Sequence, residues 1–439
     1  MKKFHFILFV ICCITVALRL YHVSYPVADW HSWRQADTAA VARNFLRFGI
    51  DPLHPRYDDL SNIQSGKDNP QGWRMVEFPL YQAAGAFLYK TLGLFSLEVW
   101  LRLLTIAASV GTVLIIGDMA GLLPAFIFAV LPFSVYYGRS ILPDPQMVFW
   151  ALFSLWLLKK NKILMAAAAG ALALLSKPMA IFLLLPALYM LFKSYKKFIL
   201  YWVIAIVPLV LWRKWITQFP EGIPVSTWLL NGNGIRFKGA WFHWLFAERL
   251  GNLILGYWGL IPFALGITLF WGIGPLLYFI VFASGNVQHD YYQILIIPAV
   301  AVFVGKGLRR LMPWLAVVSF IFMIAFSWFT VRTYYWINRP EIIEAGKAAD
   351  AILPHDAKVI ASYNGDTTFL YQTGRQGWPL GFDIDKKIAQ GATAYVTISP
   401  TDADGETKDL AARYTVLIRN DKFAIIDLTK PASPAGGPK

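Results

Sequence analysis

The chain has 439 residues, 57% of them hydrophobic and 16% aromatic but only 15% charged, a balance outside the range of ordinary soluble domains. Its net charge of +14 falls mostly in short clusters between apolar runs, which is a pattern of membrane topology rather than of nucleic-acid binding. Cys12 and Cys13 are adjacent inside the first apolar run, which excludes a stapled exported domain and a thiolate metal site.

The opening MKKFHFILFVICCITVALRLYHV has a basic start and an apolar core without a small-residue cleavage site, and reads as an uncleaved first span. Apolar runs then place spans at 4–23, 98–117, 121–137, 145–158, 163–176, 179–192, 198–217, 252–270, 272–284, 292–304 and 311–330, about eleven in all. Counting alternately from a cytoplasmic N-terminus puts Lys2 and Lys3, KKNK at 159–162, KSYKK at 193–197 and GKGLRR at 305–310 on one side, as the positive-inside rule requires. The outward segments are then 24–97, 138–144, 218–251, 285–291 and everything after 331. In the first of these, Val41, Phe45 and Phe48 recur at i, i+4 and i+7 and predict an interfacial helix over 37–48, and FPLYQAAGAFLYKTLG at 78–93 reads as a second. After the transmembrane domain, 1–335, the pattern becomes that of a small soluble α/β domain, 336–439. It comprises a helix at 341–352, strands at 357–363 and 393–399, a hairpin-like pair around Asn420 and Asp421, and a disordered tail, PASPAGGPK. The predicted fold class is a polytopic α-helical membrane protein with interfacial helices in the first outer loop and a small C-terminal α/β domain.

Ionisable groups are scarce inside the spans and gather at their outer ends: Asp29, His31, Arg34, Asp37, Arg43, Glu77, Arg139, Asp144, Lys177, Arg213, Lys214, His289 and Asp290. A polar cavity on the outer interface accounts for this better than an ion path through the bilayer centre. Asp37 in WRQADTAAVARNF either caps a helix over 38–48 or serves as a base, with Asp29 its rival for that role. Asp144, in GRSILPDPQMVFW after Arg139, either satisfies a helix dipole or supplies a second carboxylate. Glu77 is either a solvated loop acid or an orienting group. Lys177, Arg213 and Lys214 lie against the positive-inside trend, which snorkelling or phosphate binding explains. His289, Tyr291 and Tyr292 open the HDYYQILIIP span as interface anchors or as contacts to phosphate or sugar. No metal-ligand spacing and no Walker, Rossmann or GxSxG pattern is present.

Taken in order, WRQADTAAVARNF, EFPLYQ, SILPDPQMVFW, LLSKP and HDYYQILIIP resemble the GT-C membrane glycosyltransferases, in particular the bacterial branch of mannosyltransferase-like and aminoarabinose-transferase-like enzymes that includes lipopolysaccharide glycosyltransferases. The resemblance implies a polyprenyl-phosphate sugar as donor, an outward-facing site in a bacterial inner membrane, and an acid in the first outer loop that activates the acceptor. Asp37 matches that acid and Asp144 the second. Many relatives carry an Asp-Glu pair in the first loop, whereas here Thr38 follows Asp37. In such a scheme Arg34, Arg139, Lys177, Arg213 or Lys214 would meet the departing phosphate, and Glu77 and Asp144 would orient the sugar or the base. No cofactor is required, and a divalent metal is compatible but not implied. The expected partners are the lipid-linked donor, a lipid, glycan or protein acceptor and membrane lipid, with no nucleic acid, for a monomer or weak oligomer. The alternatives are a lipid-linked sugar flippase and a surface-polysaccharide polymerase or ligase.

Overall fold

The computed structural model describes residues 2–401 and 405–432; all but the first two residues of the expected disordered tail lie outside them. Each expected span has a helical counterpart, and among the described residues four helical segments are long and apolar enough to cross a membrane unaided: 97–120, 195–218, 290–308 and 313–335. The first helix, α1 (Lys2–Arg19), carries Lys2, Lys3 and Arg19. In the first outer loop α2 is Ser32–Phe48 and α3 is Leu80–Leu92, followed by the long α4, Leu97–Ala120. Ser96 starts α4 by accepting from the Val99 amide at 3.3 Å.

Proline interrupts the regular helix in two of the remaining expected spans. Leu131 precedes Pro132 and takes an extended conformation, as a residue before proline should, so 121–137 becomes α5 (Leu122–Val130) and α6 (Pro132–Tyr137). After α7 (Asp144–Lys159) and α8 (Ile163–Ser176), a one-residue turn at Leu185, before Pro186 and still with helical dihedrals, divides α9 (Ala180–Leu184) from α10 (Pro186–Leu191). The long α11 (Tyr195–Trp215) leads through two single turns, α12 (Trp228–Asn231) and α13 (Gly239–Phe242), to a π-helical stretch over His243–Ile254. The chain then passes Gly256, where a Cβ would lie 2.7 Å from the Met323 carbonyl, and continues as α14 (Leu260–Gly266) and α15 (Leu269–Val281), bent 117° apart. The expected single span at 252–270 is therefore broken. After α16 (Ala283–Gln288) and a 3₁₀ stretch at Asp290–Ile296, the bundle closes with α17 (Ile297–Leu308) and α18 (Pro313–Val331).

One continuous apolar core joins these helices, with α7 packed on α8, α8 on α11, and α17 on α5 and α14. Among the described residues, Arg19 and Arg102 are buried with no ion pair to a carboxylate. Arg19 donates to the Ala129 carbonyl at 2.9 Å and to the Ser134 hydroxyl at 2.9 Å, where α5 ends and α6 begins, and Arg102 donates to the Val23 carbonyl at 2.8 Å. Carbonyls at a helix C-terminus satisfy such a cation, and the two side chains fix α1 and the chain after it to the bundle.

The C-terminal domain contains α19 (Glu341–Ile352), β1 (Lys358–Ala361), α20 (Thr367–Gln372), β2 (Gln376–Trp378), α21 (Ile384–Ala389), β3 (Ala394–Thr397), α22 (Glu406–Arg413), β4 (Tyr414–Arg419) and β5 (Ala424–Pro431). Its five-stranded sheet has the order β2-β1-β3-β5-β4, parallel at β2-β1-β3 and antiparallel thereafter. This domain is clamped to the first loop. Gly377 in β2 donates its amide to the Asp58 carbonyl at 2.8 Å and accepts from the Leu60 amide at 2.8 Å. A Cβ there would lie 1.7 Å from the Val359 carbonyl. Gly377→Ala is therefore expected to cost about 1–3 kcal/mol of the kind typical of overpacking, seen as a lower thermal midpoint and faster proteolysis within the first loop; unchanged protection would contradict the clamp.

Candidate active site

The helix that carries Asp37 begins at Ser32, with His31 in the left-handed region at the cap position (φ 52°), so Asp37 is not an N-cap. Asp37 lies in the second turn and is only 1% exposed. Arg74 Nη2 donates to its Oδ2 at 2.9 Å, Gln64 Nε2 donates to the same oxygen at 3.2 Å, and the Thr367 hydroxyl donates to Oδ1 at 2.7 Å. One carboxylate thus joins α2, the first loop and α20 of the C-terminal domain. Val41 and Phe45, of the predicted apolar stripe, are buried, whereas Phe48 is exposed.

Two further acid–base pairs lie beside it. Arg34, one turn before Asp37, donates Nη2 to both Glu77 oxygens at 2.9 Å, and Gln82 adds a bond at 3.3 Å. Asp144 opens α7 and Lys177 follows the end of α8; they meet at 2.8 Å, with the ammonium 5.3 Å from the ring centroids of both Tyr291 and Tyr292. Burial opposes the charge on Arg34, but Glu77, Tyr291, Asp37 and Asp144 outweigh it and hold the guanidinium above its ordinary pKa. Burial likewise opposes ionisation of Glu77, and Arg34, Arg74 and Lys177 outweigh it and hold its carboxyl below the usual range. The structure therefore gathers Arg34, Asp37, Glu77, Asp144, Lys177, Tyr291 and Tyr292 into one buried cluster. Among the described residues Asp144 Oδ2 is buried there with no hydrogen-bond partner, a feature to be expected of a carboxylate that meets a ligand.

The other sequence-predicted residues lie elsewhere. Asp29 pairs with Arg139 at 2.8 Å and accepts from Gln35 Nε2 at 2.7 Å. Arg139 is 0% exposed and sits over the rings of Tyr136 and Tyr335. Arg213 and Lys214 are exposed at the end of α11, whose Trp212 turns inward to donate to the Val76 carbonyl at 3.2 Å. His289 stands among Trp33, His31, Trp228 and Tyr291. Burial, aided by His31, lowers its imidazole pKa to about 4.

Because the folded pKa of His289 lies below the ordinary value of about 6.5, the unfolded chain binds more protons between the two values. The stability this group contributes is full above about pH 6.5 and is lost as pH falls through about 4. An NMR titration of the imidazole is expected to show a neutral ring at pH 7; a midpoint at or above 6.5 would contradict this packing.

Several residues given no role by sequence reasoning belong to the site. Arg74 and Gln64 had no signal beyond a polar side chain in a long loop, and Thr367 lies 330 positions from Asp37. His31 and Asp290 meet at 2.6 Å, and Asp290 also accepts from Trp30 at 3.0 Å, Tyr137 at 2.7 Å and Tyr334, which fastens the start of α2 to the end of the bundle. Asp59, buried near Asp37, has its carboxyl pushed up to about 6 by burial. Among the described residues no group of three or more His, Cys, Asp or Glu side chains is arranged to hold a metal ion.

The architecture matches solved structures over nearly the whole chain. ArnT from Cupriavidus metallidurans bound to undecaprenyl phosphate superposes with a TM-score of 0.64 at 13% identity, covering 97% of this chain and 98% of that one. The chain has the GT-C fold. It is thus a multi-pass membrane protein. The GT-C likeness extends to the archaeal oligosaccharyltransferase AglB from Archaeoglobus fulgidus, solved with an inhibitory peptide and a dolichol-phosphate, at a TM-score of 0.51 and 10% identity, covering 94% of this chain and 72% of that one. Sequence comparison finds no matching family model and no matching curated protein.

Proposed function

We propose that the chain transfers a sugar from a polyprenyl-phosphate donor to an acceptor hydroxyl, at the end of the bundle that carries the C-terminal domain and faces the periplasm of a bacterial inner membrane. The observation that carries this reading is the buried cluster in which Asp37 pairs with Arg74 while Arg34 and Lys177 pair with Glu77 and Asp144, on a fold shared with proteins solved with undecaprenyl phosphate and dolichol-phosphate. A carboxylate for the incoming hydroxyl and positive charge for the outgoing phosphate are the two requirements of such a transfer.

In the step proposed, the acceptor O–H gives its proton to Asp37 as its oxygen forms a bond to the anomeric carbon. The bond from that carbon to the phosphate oxygen breaks, and its electron pair leaves with polyprenyl phosphate. Lys177, Arg34 and Arg74 stabilise the new charge on the phosphate. Arg74 also couples the two halves: a phosphate that draws its guanidinium away from Asp37 leaves the carboxylate a stronger base. Glu77 holds Arg34 in place, and Asp144 keeps one oxygen for the sugar. With the base and the phosphate on opposite sides of the anomeric carbon, the displacement inverts its configuration. NMR of the linkage formed from a donor of known configuration is expected to show inversion, and retention would overturn the single displacement.

A further inference from the structure

We infer that a second cavity, beside the Asp37 cluster, binds a single neutral sugar ring, so that the acceptor is a glycan; the inference rests on the transfer reading above. The cavity has a volume of about 240 Å³ and lies between the start of α2 and the C-terminal domain, with Trp30, Trp33, Trp336, Asn338, Arg339 and Asp366 in its wall. That is slightly below the roughly 300–1,000 Å³ of sites for drug-sized ligands, a size suited to one ring rather than an oligosaccharide.

The lining fits a pyranose. Trp336 and Trp30 are exposed, and indole faces offer apolar area to the C–H face of a sugar. Among the described residues no hydrogen bond or ion pair engages the side chains of Trp336, Asn338 or Arg339, and Asp366 spends one oxygen on the Thr368 amide at 2.7 Å. An amide, a guanidinium and a carboxylate with bonding capacity to spare suit a ring that bears both donors and acceptors. A phosphate is a poor match. His31 and Asp29 in the same wall already pair with Asp290 and Arg139, so the charge left over is one cation, Arg339, balanced by one anion, Asp366.

Position links the cavity to the chemistry. Asp366 is followed by Thr367, whose hydroxyl donates to Asp37 Oδ1 at 2.7 Å and contacts the Trp33 carbonyl at 3.2 Å. Trp33 itself lies one turn before Asp37 on α2. Asp37 is not itself in the cavity wall, but a ring held by Trp336, Asn338 and Asp366 lies one residue along the chain from the hydroxyl that donates to it.

The test uses the full chain in lipid nanodiscs and a panel of methyl glycosides of common envelope hexoses, N-acetylhexosamines and deoxyhexoses. Binding is read by saturation-transfer NMR and tryptophan fluorescence, neither of which needs a donor or turnover. The expected result is saturable binding of at least one glycoside, weakened about tenfold or more by the exposed-residue double variant Trp336→Leu/Arg339→Ala and retained by Asp37→Asn. In transfer assays the double variant should raise the acceptor KM while leaving kcat close to that of the wild type. Absence of binding by the wild type, or binding undiminished in the double variant, would overturn the pocket. Donor cleavage without glycoside binding would overturn the pocket alone, whereas glycoside binding without donor cleavage would leave the pocket standing and overturn the transfer reading.

Discussion

Asp37→Asn is expected to reduce sugar transfer by roughly 10²–10⁴-fold, the usual contribution of a general base, while the protein still folds and still binds the lipid-linked donor. Asparagine is nearly isosteric with aspartate, and its one amide oxygen can keep accepting from Thr367 at the Oδ1 position, whereas an NH2 at the Oδ2 position gives up the Gln64 bond. It cannot take a proton from the acceptor. It also ends the ion pair with Arg74, which frees that guanidinium for the donor phosphate. Donor affinity should therefore hold or rise as turnover collapses. Transfer assays paired with donor-binding measurements check this split, and an Asp37→Asn protein that transfers at the wild-type rate would remove Asp37 from the mechanism.

Arg139→Met should instead damage stability. It leaves Asp29 charged and buried with only Gln35 for support, and removing one partner of a buried pair costs about 3–5 kcal/mol. The double variant Asp29→Asn/Arg139→Met should recover part of that loss, because neither remaining group then carries an uncompensated charge. Thermal unfolding in detergent, read as the shift in apparent midpoint, distinguishes the variants. The same logic separates the two candidate bases: Asp29→Asn should lower the yield of folded protein, yet each folded molecule should retain transfer. Loss of transfer in well-folded Asp29→Asn, with Asp37→Asn active, would exchange their roles.

The helical bundle was legible because apolar runs and basic clusters follow directly from the cost of placing polar groups in hydrocarbon. What blurred it was local backbone chemistry. A hydropathy window passes through Pro132 without registering that it interrupts a helix, although the extended backbone of the preceding Leu131 is what a proline imposes. In the C-terminal domain the helix at 341–352 and the hairpin around Asn420 and Asp421 were readable from periodicity, because each is locally amphipathic or alternating. The three-residue strand β2 was not. It exists because Gly377 fits between Val359 and the first loop, a long-range circumstance with no local pattern.

The same division holds in the site. Asp37, Glu77, Asp144 and Lys177 were visible as charges at the ends of apolar segments, where unpaired charge is costly and therefore informative. Their pairings were not. Asp29 and Asp37 look equivalent in sequence, eight residues apart, and differ because one faces Arg139 within the bundle and the other faces Arg74 and the C-terminal domain. Arg213 and Lys214 carried the same charge signal as Lys177, but Trp212 takes the inward face of α11 and leaves them outside. Which side of a helix end is covered depends on its neighbours, and the sequence of that helix alone does not specify it.

The most direct test of the central claim is made in proteoliposomes that contain the purified chain, membrane-extracted lipid-linked sugars and a cell-envelope acceptor fraction, with free polyprenyl phosphate and glycosylated acceptor quantified together. The account predicts equal amounts of both, formed by the wild type and not by Asp37→Asn. Movement of intact donor from one leaflet to the other without its cleavage would contradict it and identify the chain as a carrier of lipid-linked sugar.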